Sequence, residues 1–406
     1  MPSRAEPQVL LVSNGSAEDL FGAAVLSRLA ARLQLRAWAL PLVGSGSAYQ
    51  GLATLLGPRV TMPSAGFLLN SWANLIADLR SGFLAMSVRQ WRCALTQRGR
   101  ADLVVVSGDA YALAVGALAA VGTGKTKLVH LQPLVSVQYA EGLSPLQLLR
   151  RPVDLGSSHF LPWETALQRR ADAVYVRDAP SALVLRRIGV PARYYGSFAM
   201  DILPAQGTGE LSAGLGAKPV LALLPGSRAD AAWSLPRMLE AVCGLPELQA
   251  VVAWARPPAE LRAPPSWELR SHPGGAWLRG PAEVLVEFGN FHAVLRAADL
   301  VLATAGTATE QAAGLGRPAV GFPTPGPQYT ASFAARQARL LGGALQLVAP
   351  EPGAIRAALR ALLCRPGHYA RASVQGLRRI GPAGALSQIA ADLAELLGSP
   401  AAPYPP

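Results

Sequence analysis

The feature that most constrains this chain is a repeated alternation. Continuous apolar runs of strand length recur along it, separated by segments with helical spacing. In the first half, Gln8–Ser13, Arg36–Val43, Asp102–Val106 and Lys127–Leu131 read as strands, followed by Ala173–Val176 and Ala192–Tyr195. Helical segments run from about Glu18 to Leu33, from Phe67 to Gln97 and onward from Tyr111. Strands that are apolar on both faces belong in a parallel sheet covered by helices on both sides. The composition then shifts to Pro, Gly, Gln, Thr and Ser, and the alternation restarts. Pro219–Leu224, Gln249–Trp254, Asp299–Ala303, Pro318–Phe322 and Ala344–Val348 read as strands, with a helix over Pro236–Val242.

The pattern predicts an α/β chain of two doubly wound, Rossmann-like units. Their expected limits are 1–197 and 219–397, with a linker over 198–218 and a disordered Pro/Ala tail over 398–406. Two such units in tandem, with parallel sheets facing a central cleft, are expected to bind ligands at the carboxyl ends of their strands.

Composition narrows the function. With 406 residues and 51% hydrophobic content the chain is long enough for two cores. Its net charge of +12 fits a solvated basic surface, an anionic membrane or a phosphorylated substrate. Nucleic acid is not expected as a partner, because there is no dense Lys/Arg run, zinc-finger spacing or aromatic RNA-binding motif. Cys93, Cys243 and Cys364 are far apart, which points to reduced, structural thiols in a cytoplasmic protein. The longest mildly apolar stretch, Ala110 to Val121, is short of the roughly 20 residues a spanning helix needs. The five histidines show no metal spacing and no Asp-X-Asp pair occurs, so neither a metal nor another cofactor is expected.

Several strand-to-helix turns carry chemistry. Ala303-Thr304-Ala305-Gly306-Thr307-Ala308-Thr309-Glu310-Gln311 follows a strand and opens a helix. Its small residues admit a ligand close to the backbone, and free N–H groups at the helix start suit a diphosphate. Thr307 and Thr309 offer hydroxyls, and Glu310 can accept from ribose hydroxyls; a Thr-capped helix packed by small residues is the plain structural alternative. Leu224-Pro225-Gly226-Ser227-Arg228 ends a strand in a glycine turn with an Arg that can pair with phosphate, or cap the turn, or pair with Asp230. Phe322-Pro323-Thr324-Pro325-Gly326-Pro327-Gln328 is a stiff loop in which Gln328 can meet a sugar or base.

In the first half, the turn with Asn14, Gly15, Ser16, Glu18 and Asp19 occupies an acceptor-cleft position and also has the residues of a capped helix start. Asp109, at the end of its strand, is a candidate general base or a helix cap. Gly122-Thr123-Gly124-Lys125-Thr126 is not a phosphate loop, because the required first glycine falls at Ala119 and the helix precedes the strand.

Phe67 to Leu95 carries two apolar stripes. One is Leu68, Trp72, Leu75, Ile76, Leu79, Phe83 and Met86, and the other is Leu84, Val88, Trp91 and Leu95. With Arg80, Arg89 and Arg92 beside them, one stripe is expected in the core and the other on a membrane surface or a homodimer contact.

Taken in order, these segments resemble lipid-A-disaccharide synthase, and more narrowly the synthase-related proteins of that superfamily. The pieces that carry the likeness are Val104–Asp109, Phe160-Leu161-Pro162-Trp163-Glu164, Tyr195–Asp201, Leu224–Arg228 and Gly306–Glu310. The resemblance implies a GT-B fold and an inverting, metal-independent transfer. In that family UDP-2,3-diacylglucosamine gives its sugar to 2,3-diacylglucosamine 1-phosphate, and UDP leaves. It further implies that Arg228 and Gly306–Gln311 hold the nucleotide, that Asp109 stands where the family has its candidate catalytic Asp, and that the protein sits peripherally on the inner face of the membrane. The chain departs from the family in its acceptor half. It reads Asn14-Gly15-Ser16-Ala17-Glu18-Asp19 in place of a Gly-Glu-x-Ser-Gly-Asp turn, and Ala110-Tyr111-Ala112 where a second Asp follows the first. A nucleotide-sugar epimerase of the same fold and a catalytically silent binding protein are the alternatives.

Overall fold

A computed structural model describes residues 6–58, 83–203, 210–326 and 328–398. The chain divides into two compact units, Met1–Ile202 with Ala383–Pro406, and Leu203–Pro382.

The first unit is built on a seven-stranded sheet in the order β3-β2-β1-β4-β5-β6-β7. The strands are β1 Gln8–Ser13, β2 Arg36–Pro41, β3 Thr54–Leu55, β4 Leu103–Ser107, β5 Lys127–Gln132, β6 Ala173–Val176 and β7 Ala192–Arg193. Every pairing is parallel, as the continuous apolar runs require. The sheet separates two cores. Leu10, Val12, Val104 and Val106 pack on one side, and Val9, Leu11, Leu103 and Val105 on the other, following the period of two along each strand.

The C-terminal helix Ala385–Leu396 packs in the second of these cores, with Leu386, Ile389 and Leu393 fully buried. Asp392 of the same helix accepts from the hydroxyls of Tyr175 at 2.7 Å and Tyr195 at 2.8 Å and from Arg193 at 2.5 Å. The second unit was expected to run to 397; instead the chain returns to the first unit for its last helix. The expected linker also begins inside the first unit, where Phe198–Asp201 forms a short helix with Phe198 and Met200 buried. Of the expected tail, residues 399–406 lie outside the described residues.

The second unit holds an eight-stranded sheet in the order β10-β11-β12-β9-β8-β13-β14-β15. Its parallel core consists of β8 Val220–Leu224, β9 Gln249–Trp254, β12 Glu283–Phe288, β13 Leu300–Ala303, β14 Ala319–Gly321 and β15 Leu345–Leu347. Two antiparallel strands, β10 Glu268–His272 and β11 Gly275–Arg279, extend one edge. The helix expected over Pro236–Val242 begins earlier and spans Asp230–Val242, with Pro236 inside it. Proline removes one ladder bond there, and the buried Ala231, Ser234, Leu235, Met238 and Leu239 compensate by packing.

Of the segment from Phe67 to Leu95, residues 67–82 lie outside the described residues. The helix Phe83–Thr96 buries Met86, Gln90 and Ala94 and leaves Val88, Trp91 and Leu95 exposed, Trp91 at 42%. Among the described residues no helix is long and apolar enough to cross a membrane. The three cysteines are free; Cys93 and Cys243 are half-buried and Cys364 is exposed.

Candidate functional site

In the second unit three neighbouring strands end level. Leu224 of β8 pairs with Ala303 of β13, and Ala303 pairs with Gly321 of β14. The turns that follow are the three segments singled out in the sequence, so Gly226, Ser227, Arg228, Gly306, Thr307, Ala308 and Gln328 come from adjacent turns at one sheet edge.

Buried hydrogen bonds interlock these turns. Asp230, 3% exposed at the start of its helix, accepts from the Thr324 hydroxyl at 2.5 Å and the Tyr329 N–H at 2.8 Å, with the Gln328 N–H at 3.3 Å. The Thr304 N–H donates to the Leu224 carbonyl at 3.0 Å, and the Thr304 hydroxyl lies 2.9 Å from that of Ser234. Gln337 donates to the Gly306 carbonyl at 2.7 Å and accepts from the Tyr329 hydroxyl at 2.8 Å. A charged acceptor gathering neutral donors gives stronger bonds than neutral pairs do, so Asp230 is the anchor of the group.

Two glycines sit at these turns, one in a left-handed conformation and one closely packed. Gly226 has φ +92°, a conformation other residues rarely adopt, and a Cβ on Gly306 would stand 3.2 Å from the Phe333 ring. The helix Thr307–Gly314 starts at Gly306 with no side-chain cap, so the positive end of its dipole opens at this edge. Two further candidates are buried. The Thr309 hydroxyl is buried and donates to the Ala305 carbonyl at 2.5 Å, and Gln311 is buried one turn into the helix. Arg228 and Glu310 are half-buried, Arg228 in the turn after β8 and Glu310 in the first turn of its helix.

In the first unit the strands β1, β4 and β5 likewise end level, with Ser13 opposite Ser107 and Ser107 opposite Leu131. The helix Ser16–Ala30 starts from Gly15, and neither Asn14 nor Ser16 caps it in the way the sequence suggested. Asn14 reaches instead to the turn after β4, where its Oδ1 accepts from the Asp109 N–H at 3.4 Å. Asp19 is buried and accepts from the Ser13 hydroxyl at 2.6 Å, which in turn accepts from Tyr49 at 3.0 Å. A Cβ on Gly22 would collide with that Tyr49 hydroxyl, so the glycine makes room for the chain of bonds. Burial pushes the Asp19 carboxyl up to about 6, against the opposing pull of the Ser13 hydrogen bond.

Asp109 caps the helix Ala110–Ala120, accepting from the N–H groups of Tyr111 at 2.9 Å and Ala112 at 3.1 Å through one oxygen. Burial raises its pKa, and hydrogen bonds from Ala112, Tyr111 and Asn14 oppose the rise. The capping alternative is thus present in the structure, on a carboxylate more basic than a solvated one.

A buried polar chain, largely unmarked in the sequence, lies behind this turn. His130 on β5 lies 3.0 Å from the Gly108 carbonyl through Nε2 and 3.2 Å from Gln168 Nε2 through Nδ1. Gln168 Nε2 also reaches Glu164 Oε1 at 3.2 Å, and Gln132 donates to the same oxygen at 2.5 Å. Burial pushes Glu164 up to about 7 and His130 down to about 4. Only Glu164 had a signal in the sequence, as the end of Phe160-Leu161-Pro162-Trp163-Glu164; His130 inside an apolar strand had none. Among the described residues no group of three or more His, Cys, Asp and Glu could hold a metal ion.

Comparison with known proteins places this architecture. No family model matches the chain. A lipid-A-disaccharide synthase from Thiobacillus denitrificans is 33% identical over 141 residues, which is 34% of this chain and 36% of that protein. The match therefore spans about a third of the curated relative's length. Among solved structures, the glycotransferase of kitacinnamycin superposes with a TM-score of 0.63 at 17% identity, over 97% of this chain and all of that one. The calicheamicin glycosyltransferase CalG4 gives 0.62 at 16% identity, over 98% of this chain and all of that one. A UDP-GlcNAc 2-epimerase from Neisseria meningitidis bound to UDP-GlcNAc gives 0.51 at 14%, over 96% of this chain and 99% of that one. Two Rossmann-like units with parallel sheets, matched together over nearly the whole chain, give this protein the GT-B fold.

Proposed function

We propose that this chain is a glycosyltransferase that moves a sugar from a UDP-sugar to a hydroxyl of a lipid or sugar-phosphate acceptor, with inversion and without a catalytic metal. The observation that carries this reading is the interlocked edge of the second unit. There Asp230, Thr304 and Gln337 hold a glycine turn with Arg228, an uncapped helix start and the Gln328 loop side by side. Such an edge suits a diphosphate, since backbone N–H groups and a guanidinium can take up negative charge without rearranging. The sequence match to a lipid-A-disaccharide synthase supports an acylated glucosamine as donor and acceptor type.

In the proposed reaction the acceptor oxygen attacks the anomeric carbon as the bond from that carbon to the diphosphate oxygen breaks. Asp109 takes the proton from the attacking hydroxyl, and the charge left on UDP is met by Arg228 and the N–H groups of Thr307 and Ala308. Glu310 receives the ribose hydroxyls, and Gly226, Ser227, Thr307 and Gln328 line the donor. Burial makes Asp109 a better proton acceptor than an exposed carboxylate, while its cap to Tyr111 and Ala112 fixes its position. Asn14, Gly15, Ser16, Glu18 and Asp19 form the acceptor side. The exposed Val88, Trp91 and Leu95, with Arg89 and Arg92 beside them, support contact with the inner face of the cell membrane or a second copy.

UDP release with and without an acylated glucosamine 1-phosphate, and mass spectrometry of the product, test the reading. A transfer product that depends on acceptor supports it. UDP-sugar converted to its 2-epimer without acceptor supports the second reading, an epimerase, which the fold shared with the Neisseria enzyme keeps in play. Binding of the nucleotide with neither product supports a silent binding protein.

A further inference from the structure

The peptide unit between Gly108 and Asp109 is gripped at both ends. Its carbonyl faces His130 Nε2 at 3.0 Å, and its N–H donates to Asn14 Oδ1 at 3.4 Å. Gly108 has φ +155°, and a Cβ there would collide with Asn14 Oδ1, so no other residue fits this grip. The Tyr111 and Ala112 N–H groups hold the carboxylate itself, and His130 holds the peptide that carries it.

His130 is held by an amide. Gln168 Nε2 can only donate, so His130 Nδ1 accepts and the imidazole carries its proton on Nε2, where it donates to Gly108. Which way the Gln168 amide points is fixed in turn by Glu164, whose Oε1 also accepts from it. Flipping that amide would place its oxygen against the carboxylate and demand the other histidine tautomer. The four side chains His130, Gln132, Gln168 and Glu164 are all buried. A buried, ionisable chain of this kind is costly compared with an apolar core of equal volume.

We propose that Glu164 and His130 are positioning residues: acting through Gln168, Glu164 selects the histidine tautomer that clamps the Gly108–Asp109 peptide and so aims the Asp109 carboxylate. This rests on the reading of Asp109 as the base in sugar transfer. The titratable groups that face Glu164 are His130 on β5 and Asp109 in the turn after β4, and the negative charge of Asp109 adds to the effect of burial in raising Glu164.

The test uses the full chain and has readouts on and off turnover. Nitrogen-15 spectra of the histidines should show His130 protonated on Nε2 alone between pH 5 and 8, in line with burial holding it neutral. The carbon-13 carboxyl signal of Glu164 should titrate at lower pH in Asp109→Asn, because a neighbouring negative charge is gone. His130→Phe should lower kcat by about tenfold or more with acceptor KM and UDP affinity unchanged, and His130→Gln, which restores a donor, should recover part of the loss. An Nδ1-protonated His130, an unmoved Glu164 titration, or full turnover in a folded His130→Phe overturns the proposal. If no acceptor is ever glycosylated yet the tautomer and the Glu164 shift are found, the transfer reading fails and the positioning of Asp109 stands.

Discussion

The backbone N–H of Tyr329 donates to the Asp230 carboxylate at 2.8 Å across 99 residues of sequence. That bond joins the start of the helix after β8 to the loop after β14, two segments separated in the sheet by β13. The segment between them, Thr304–Gly306, is held from both sides by Ser234 and Gln337. The candidate donor edge is thus one hydrogen-bonded object, and its parts should fail together.

Asp230→Ala should show this. It removes a charged acceptor from the Thr324 hydroxyl and the Tyr329 N–H and leaves buried donors without partners. A loss of about 2–4 kcal/mol in unfolding free energy is expected, and UDP affinity should fall about tenfold or more. Urea denaturation and calorimetry check the two effects. Unchanged UDP affinity in a folded variant would detach Asp230 from the binding edge.

Gly226→Ala should weaken nucleotide binding at a smaller stability cost. The left-handed φ of +92° charges a side chain about 1–2 kcal/mol, and a Cβ there would sit 3.4 Å from the Thr304 carbonyl. Differential scanning calorimetry should register a lower melting temperature, and a parallel UDP titration a weaker complex.

The buried Asp19 makes a prediction about pH. Its folded-state value of about 6 lies above the ordinary 3.8, so the folded state resists losing this proton while the unfolded chain gives it up. Below about pH 4 the carboxyl is protonated in both states and the burial carries no penalty. Stability falls as pH rises from there through about 6, by roughly 3 kcal/mol for this group, and is level beyond. Asp19→Asn, which keeps an acceptor for Ser13, should flatten that slope in urea titrations at pH 4 and pH 8. An identical slope in the variant would assign the effect to other groups, Glu164 first among them.

Asp392 holds the last helix to the first unit through Tyr175, Tyr195 and Arg193. Asp392→Ala should cost about 2–3 kcal/mol and speed amide exchange in 385–396 before the rest of the unit opens. Exchange in that helix as slow as in the parent would mean that Leu386, Ile389 and Leu393 alone suffice to hold it.

The parallel core was legible in the sequence because runs such as Leu10-Leu11-Val12 and Val104-Val105-Val106 leave a strand buried on both faces as the only economical choice. Strands β10 and β11 were not, since Glu268–His272 is a charged, exposed edge strand with no apolar alternation to mark it. The return of the last helix was hidden for another reason. Its apolar stripe announces a helix, while its destination depends on Asp392 and on Asp201, which accepts from the Gly384 and Leu386 N–H groups. The turns of the candidate donor edge were readable from glycines and small residues after strands. Their fasteners Thr304, Asp230 and Gln337 were not, since a polar residue's long-range partner is set by the sheet order. The same holds for Asp109, where the sequence left capping and catalysis side by side and the structure adds His130 behind them.

In the proposed reaction the second unit grips a uridine diphosphate through Arg228 and the helix start at Gly306. Titration calorimetry with UDP tests it most directly. Binding to the parent chain is expected, weakened by about tenfold or more in Arg228→Ala and likewise in Glu310→Gln. No heat with the parent chain, or equal affinity in both variants, would contradict it.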